Sequence, residues 1–200
     1  MARSLSELFE FYGTDKGPQL NGIISFSHNY GLFYDRIFTP LKDKEIRLLE
    51  MGLHCHGEGI PSIFSWRDFF SKAAIVGFDQ TDFSRHGTNR ITIVRGNQQD
   101  TRDLKRLAEY GPFDIIIDDC SHKPEDQLIA LMVLYPSLKV GGFYIIEDLS
   151  VDGISSWHGY ENGRVYEVLA SFTNVEYFTN QHKNHCLACI TKMGDANDTF

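Results

Sequence analysis

Short apolar runs, each closed by an acid or a glycine and mostly followed by a helical stretch, recur along this chain and limit what it can fold into. Ile46–Met51 ends at Gly52, Ala73–Phe78 at Asp79, Ile91–Arg95 at Gly96, Phe113–Ile117 at Asp118 and Asp119, and Phe143–Ile146 at Glu147 and Asp148. Helical spacing marks Ile60–Phe70, Asp103–Tyr110 and Pro124–Leu138. Pro124 sits in a first turn, where its missing N–H costs nothing, and Val140-Gly141-Gly142 is expected to stop that helix. Buried runs separated by amphipathic helices require a parallel sheet covered on both faces. The last stretch departs from this pattern. Val165–Phe172 reads as a helix, and Val175–Phe178 and Cys186–Thr191 read as strands joined by a short polar loop. They predict an antiparallel hairpin appended to the parallel sheet.

Five parallel strands plus a terminal hairpin is the build of a Rossmann-like class I methyltransferase fold. The expected class is therefore α/β, with a mostly parallel seven-stranded sheet, a C-terminal antiparallel hairpin and helices on both faces. Residues 1–200 read as a single domain: a helical segment over 1–44 that contributes to a cofactor site, a core over 45–192 and a tail over 193–200. A chain of 200 residues buries about 70% of its unfolded surface, enough for a full core. The formal charge of −8, with no basic block, argues against nucleic acid as a partner. No apolar run approaches the roughly 20 residues of a membrane span, and Met1–Leu8 lacks an apolar signal core. Four cysteines make no disulfide scaffold, and the expectation is a cytoplasmic protein.

Ligands of open α/β sheets sit beyond the carboxyl ends of the strands. That end is acidic here, carrying Glu50, Asp79, Asp118, Asp119, Glu147 and Asp148. Glu50-Met51-Gly52 opens a loop running to Gly59, where glycine lets backbone approach a ligand, although such a turn can also be only a turn. Asp79 lies where an acid would accept bonds from ribose hydroxyls. The loop is not G-x-G-x-x-G, which counts against an NAD-dependent oxidoreductase. His54, Cys55 and His56 raise a zinc reading, but no complementary pair lies nearby in sequence. Cys186 and Cys189, near His182 and His185, are three apart on a strand. They should point to opposite faces and belong to the core. No spacing suggests a two-histidine, one-carboxylate site.

The strongest local signal is Asp118-Asp119-Cys120-Ser121-His122 followed by Glu147-Asp148, two clusters at the ends of neighbouring strands. Like charges packed together are costly without a cation between them. Asp119, Glu147 and Asp148 make a hard oxygen set suited to Mg²⁺, or to Mn²⁺ in its place. His122 can reach the same space, and an imidazole is fit to take a proton from a hydroxyl. The structural alternatives are a helix cap and an acid that merely faces water. Tyr160, Trp157 and His158 lie in Gly153–Gly163, either a lid with aromatic contacts to a ring or a solvated connection.

Tyr12-Gly-Thr-Asp-Lys16, His28-Asn-Tyr30, Leu49-Glu-Met-Gly52, Ile117–His122 and Gly142–Asp148 stand in this order over residues 8–192. With these motifs the chain resembles the metal-dependent sugar O-methyltransferases of macrolide biosynthesis (mycinamicin and tylosin type) and their cephalosporin-hydroxylase-like relatives. The resemblance implies Mg²⁺ on Asp119, Glu147 and Asp148, and His122 as general base. It implies an S-adenosylmethionine site with Glu50, Gly52 and Asp79, joined at the acidic sheet end by Asp118. Tyr12, Thr14 and Lys16 would lie near the methionine end and Gln98 toward the adenine. Cys120 replaces a usual glycine and is strained if that position needs a positive φ. Asn97 stands where an Asp is common.

The expected function is thus S-adenosylmethionine- and Mg²⁺-dependent O-methyl transfer to a hydroxyl of a sugar or other natural product, with a small-molecule glycoside as partner. The rivals are a methyltransferase-like binding protein without turnover and, further off, an oxidoreductase. A homodimer or higher homo-oligomer stays open.

Overall fold

A computed structural model describes residues 3–18, 27–53, 59–151, 159–180 and 185–194. Seven strands form one sheet: β1 (Arg47–Met51), β2 (Ala74–Asp79), β3 (Ile91–Arg95), β4 (Phe113–Asp118), β5 (Leu138–Leu149), β6 (Val175–Thr179) and β7 (Cys186–Thr191). Their order is β3-β2-β1-β4-β5-β7-β6. The first five run parallel, while β7 lies antiparallel between β5 and β6. The expected hairpin is therefore present, with its second strand inserted beside β5.

Alternation along the strands sorts apolar side chains into two cores. Leu48, Ile75, Ile115, Ile117, Ile145 and Leu187 face α1 (Leu5–Tyr12), α2 (Gly31–Phe38) and α3 (Pro61–Phe69). Leu49, Val76, Phe78, Ile116, Ile146 and Ile190 face α4 (Thr101–Ala108), α5 (Pro124–Leu134) and α6 (Gly163–Leu169). Cys189 joins the first core and Cys186 the second, as their spacing predicts. Among the described residues, no helix is long and apolar enough to cross a membrane.

Two boundaries differ most from expectation. Helix α5 stops at Leu134 and passes into a 3₁₀ turn, Tyr135–Ser137, instead of reaching Leu138. Pro136 is the cause: it has no N–H to continue the ladder. Strand β5 then starts at Leu138, well before Phe143. Gly141 and Gly142, expected to end the helix, lie within the strand. Gly141 N–H donates to the Lys192 carbonyl at 2.8 Å, and Lys192 N–H to that of Gly142 at 2.9 Å.

Strand β5 also carries a bulge that matters for the site. Ile146 pairs with Ala188 and Leu149 with Cys186, so Glu147 and Asp148 together oppose Leu187. Asp148 sits at φ +59°, which absorbs the extra residue. Strict alternation would send these two acids to opposite faces. The bulge turns both toward α1 and α2, and Leu149 still packs in the opposite core.

The N-terminal helices fix the remaining wall. Ser4 and Glu7 form a capping box on α1, with bonds of 2.8 and 3.1 Å. Asp35 of α2 accepts from Leu5 N–H at 2.6 Å and Ser6 Oγ at 2.7 Å. Gly13 ends α1 in the left-handed conformation, φ +75°. The chain beyond it, bearing Thr14 and Lys16, is thereby laid over the carboxyl end of the sheet.

Candidate active site

A cavity of about 660 Å³ opens at the carboxyl end of the sheet, lined from β1, β2, β3, β4 and β5 and from the loop after α1. That volume lies within the usual range for small-molecule sites. Between β1 and β4 the strand order reverses direction, which is where such folds hold ligands.

The two adjacent aspartates of β4 part company because successive strand residues face opposite ways. Asp118 turns toward the α4–α5 side, where Gln98 Nε2 donates to both its oxygens at 2.8 and 2.9 Å. Burial pushes its carboxyl up to about 8, against the bonds from Cys120 N–H and Gln98. Gln98 Oε1 in turn accepts from Ser121 N–H at 3.1 Å, and Ser121 Oγ donates to Asp126 at 2.8 Å. Asp118, Gln98 and Asp126 thus hold the loop that presents His122. The left-handed residue of that loop is His122, φ +58°, and not Cys120. Cys120 therefore carries none of the expected backbone strain. Strain of this kind, of order 1–3 kcal/mol, concentrates at functional sites.

Gly52 meets a different demand from the one expected. It has φ +85°, and a Cβ there would stand 1.9 Å from the Asp119 carbonyl oxygen. Its missing side chain lets the β1 loop pack against the β4 loop, with Asp119 N–H donating to the Met51 carbonyl at 3.0 Å. Asp79, at the end of β2, accepts from Leu53 N–H at 2.9 Å and Thr81 N–H at 2.7 Å. Each oxygen keeps acceptor capacity toward the cavity it lines.

On the α1–α3 side, Lys16 is buried among carboxylates. Its ammonium donates to Asp119 and, at 2.9 Å, to Glu147, and it lies 3.7 Å from Glu50. Glu147 also accepts from Tyr34 Oη. Glu50 accepts from Ser62 Oγ at 2.8 Å and Trp66 Nε1 at 3.0 Å. Burial raises Glu50 to about 7 even with Lys16 beside it, and raises Asp119 and Glu147 as well. Burial works against the ammonium, yet the surrounding acids Asp119, Glu147 and Glu50 hold its proton well above the usual lysine range. Asp148 completes the group, accepting from Tyr30 Oη at 2.9 Å with His28 Nδ1 at 3.1 Å.

Of the expected residues, Thr14, Lys16, Gly52, Asp79, Gln98, Asp119, His122 and Asp148 line the cavity. Asp119, His122 and Asp148 bring their ligand atoms within 4.8 Å of one another. Glu50, Asp118 and Glu147 lie beneath it, fully buried. Tyr12 points away from it, donating to Asp68 and accepting from Arg67 at 3.1 Å. The donor set fits a divalent cation. Three acids, Glu50, Asp119 and Glu147, share the Lys16 ammonium, and Asp148 lies beyond its ion-pair contacts. Asp119 and Asp148 direct hard oxygens at one point. His54–His56 and most of Gly153–Gly163, with Trp157 and His158, lie outside the described residues.

Sequence reasoning missed Tyr34, and it named His28-Asn-Tyr30 and His185 without giving them a role in the site. Their signal is three-dimensional: His28 and Tyr30 precede α2, Tyr34 lies within it, and His185 precedes β7. Alternation could have placed Tyr34 on the inner stripe of α2. Nothing in the spacing joins His28 to His185.

This sheet order with a reversed β7, its ligand cavity and its acidic strand ends define the class I methyltransferase fold. No model of a known protein family matches the chain. It is similar to demethylmacrocin O-methyltransferase of Streptomyces fradiae, 40% identical over 149 residues, covering 72% of this chain and 36% of that protein. Mycinamicin VI 2''-O-methyltransferase of Micromonospora griseorubida is 38% identical over the same length and coverage. Among solved structures, the MycE methyltransferase in complex with Mg, SAH and mycinamycin VI superposes with a TM-score of 0.76 at 27% identity. That match covers 98% of this chain and 57% of MycE. The chain thus spans about a third of the length of these curated relatives and little more than half of MycE.

Proposed function

We propose that this chain is the catalytic domain of an S-adenosylmethionine- and Mg²⁺-dependent O-methyltransferase that acts on a sugar hydroxyl of a natural-product glycoside. The observation that carries the reading is the convergence of Asp119, His122 and Asp148 in a cavity that Asp79 and Gly52 also line. The relatives, O-methyltransferases of macrolide and tetracenomycin glycosides, support it.

Asp79 would accept from ribose hydroxyls, its carboxylate oriented by two backbone donors. Gln98, fixed on Asp118, would meet the adenine side, and Thr14, which lines the same cavity, the methionine end. Asp119 and Asp148 would hold Mg²⁺. Glu147, the third acid of the expected set, anchors Lys16 and Tyr34 behind them. When bound, the cofactor supplies the methyl group and the cation lowers the pKa of the acceptor hydroxyl. His122 takes that hydroxyl's proton as the oxygen becomes methylated, help worth roughly 10²–10⁴-fold in rate.

The test is methyl transfer to a panel of deoxysugar glycosides with Mg²⁺ or EDTA, alongside calorimetric titration of S-adenosylhomocysteine. His122→Ala should lower kcat by roughly 10²–10⁴-fold and leave cofactor affinity unchanged. Full activity in EDTA, or unchanged turnover in H122A, sinks the reading. Retained cofactor binding without turnover on any glycoside would favour the non-catalytic alternative.

A further inference from the structure

Asp148 faces two ways. One side meets Asp119 and His122; the other meets His28 and His185, whose ligand atoms with its own also lie within 4.8 Å of one another. The three residues come from separate segments. His28 precedes α2 and is tied by its N–H to the Asp15 carbonyl at 2.8 Å. His185 precedes β7, where its carbonyl accepts from Asn180 N–H at 3.0 Å. Asp148 is turned toward both by the bulge of β5.

The distances suit a metal. His28 Nδ1 is 3.1 Å and His185 Nδ1 3.7 Å from Asp148 Oδ1. Ligands about 2.0–2.1 Å from a tetrahedral ion stand about 3.3 Å apart. The two imidazoles lie side by side, ring centroids 4.0 Å apart at 34°. Tyr30 Oη donates to the same carboxylate oxygen at 2.9 Å, the kind of outer partner that orients a metal-bound carboxylate. All three residues are buried, and His28 and Asp148 line the cavity, which supplies an entry path.

We propose that His28, His185 and Asp148 form a second metal site, for a borderline transition cation such as Zn²⁺ or Co²⁺, with Asp148 as a carboxylate shared with the neighbouring oxygen-rich site. Two imidazoles and one carboxylate select such ions over Mg²⁺, which takes oxygen and dehydrates reluctantly. The two sites thus divide by ligand softness. The proposal does not need the O-methyl transfer reading; it shares Asp148 with it.

The test uses the full chain, stripped with EDTA and titrated with Co²⁺ in excess Mg²⁺, read by visible absorption and bound-metal analysis. One Co²⁺ per chain should bind and resist displacement by Mg²⁺. His28→Gln and His185→Gln should each weaken Co²⁺ binding by more than the roughly tenfold that even an outer partner is worth. Asp119→Asn should weaken Mg²⁺ binding and leave the Co²⁺ spectrum intact. Circular dichroism checks that each variant folds; if H185Q does not, H28Q decides. Displacement of Co²⁺ by Mg²⁺, or Co²⁺ binding unchanged in H28Q, overturns the proposal. Failure of Mg²⁺ to bind the wild type would strike the other site alone.

Discussion

Replacing Lys16 by methionine deletes the ammonium that Glu50, Asp119 and Glu147 share while keeping most of the side-chain volume. At an effective dielectric of about 20, a unit charge at the 2.9 Å of Glu147 is attracted by roughly 6 kcal/mol, and at the 3.7 Å of Glu50 by roughly 4.5 kcal/mol. Desolvation of a lysine only 1% exposed offsets much of this gross attraction. The measurable quantity is the penalty for leaving buried carboxylates without their cation, about 3–5 kcal/mol. For a chain of 200 residues each kcal/mol moves Tm by about 2–4 °C, so K16M should melt about 6–20 °C lower. The loss depends on pH. Burial raises Glu50 to about 7 and Glu147 well above the carboxylate range, and a protonated acid needs no ammonium. The penalty should therefore be larger at pH 8 than at pH 6. Urea unfolding in EDTA at both values measures it. K16M combined with Glu147→Gln should be more stable than the sum of the single changes, by about 0.5–3 kcal/mol. A K16M penalty below about 1 kcal/mol at both pH values, with additive double-variant energies, would refute the reasoning.

Gly52→Ala places a methyl against the Asp119 carbonyl at a positive φ. Overpacking and left-handed strain together should cost about 2–5 kcal/mol and loosen cofactor binding; a melt within a degree of wild type would show that the two loops are not locked together. Glu50 binds its proton more tightly folded than unfolded, since its value rises from 4.5 to about 7. Its contribution is therefore complete below pH 4.5 and declines by at most about 1.4 kcal/mol per unit as pH rises toward 7. Glu50→Gln should flatten that part of the stability profile, and an unaltered slope in calorimetric melts would contradict the assignment.

The sheet was legible because its strands are apolar on both faces and its helices are not. The alternation that separates Cys186 from Cys189 also separates Asp118 from Asp119, which the motif alone does not reveal. Pro136 was in plain view as the end of α5, but the Gly141-Gly142 pair was the more conspicuous breaker. Lys16 could be placed near the sheet end by resemblance, whereas its insertion among three acids depends on how α1 and α2 lock through Asp35. His28 and His185 lie 157 positions apart and meet because the segment before α2 and the start of β7 both pack on Asp148.

The bulge in β5 means that chain length, as much as residue identity, writes this site. Asp148 acts beside Glu147 because one extra residue sits opposite Leu187. Removing a single residue there would restore regular alternation, leaving one acid opposite Leu187 on the α1–α3 side where two now stand. In comparing related chains, the count of residues between Ile146 and Leu149 is as informative as the letters themselves.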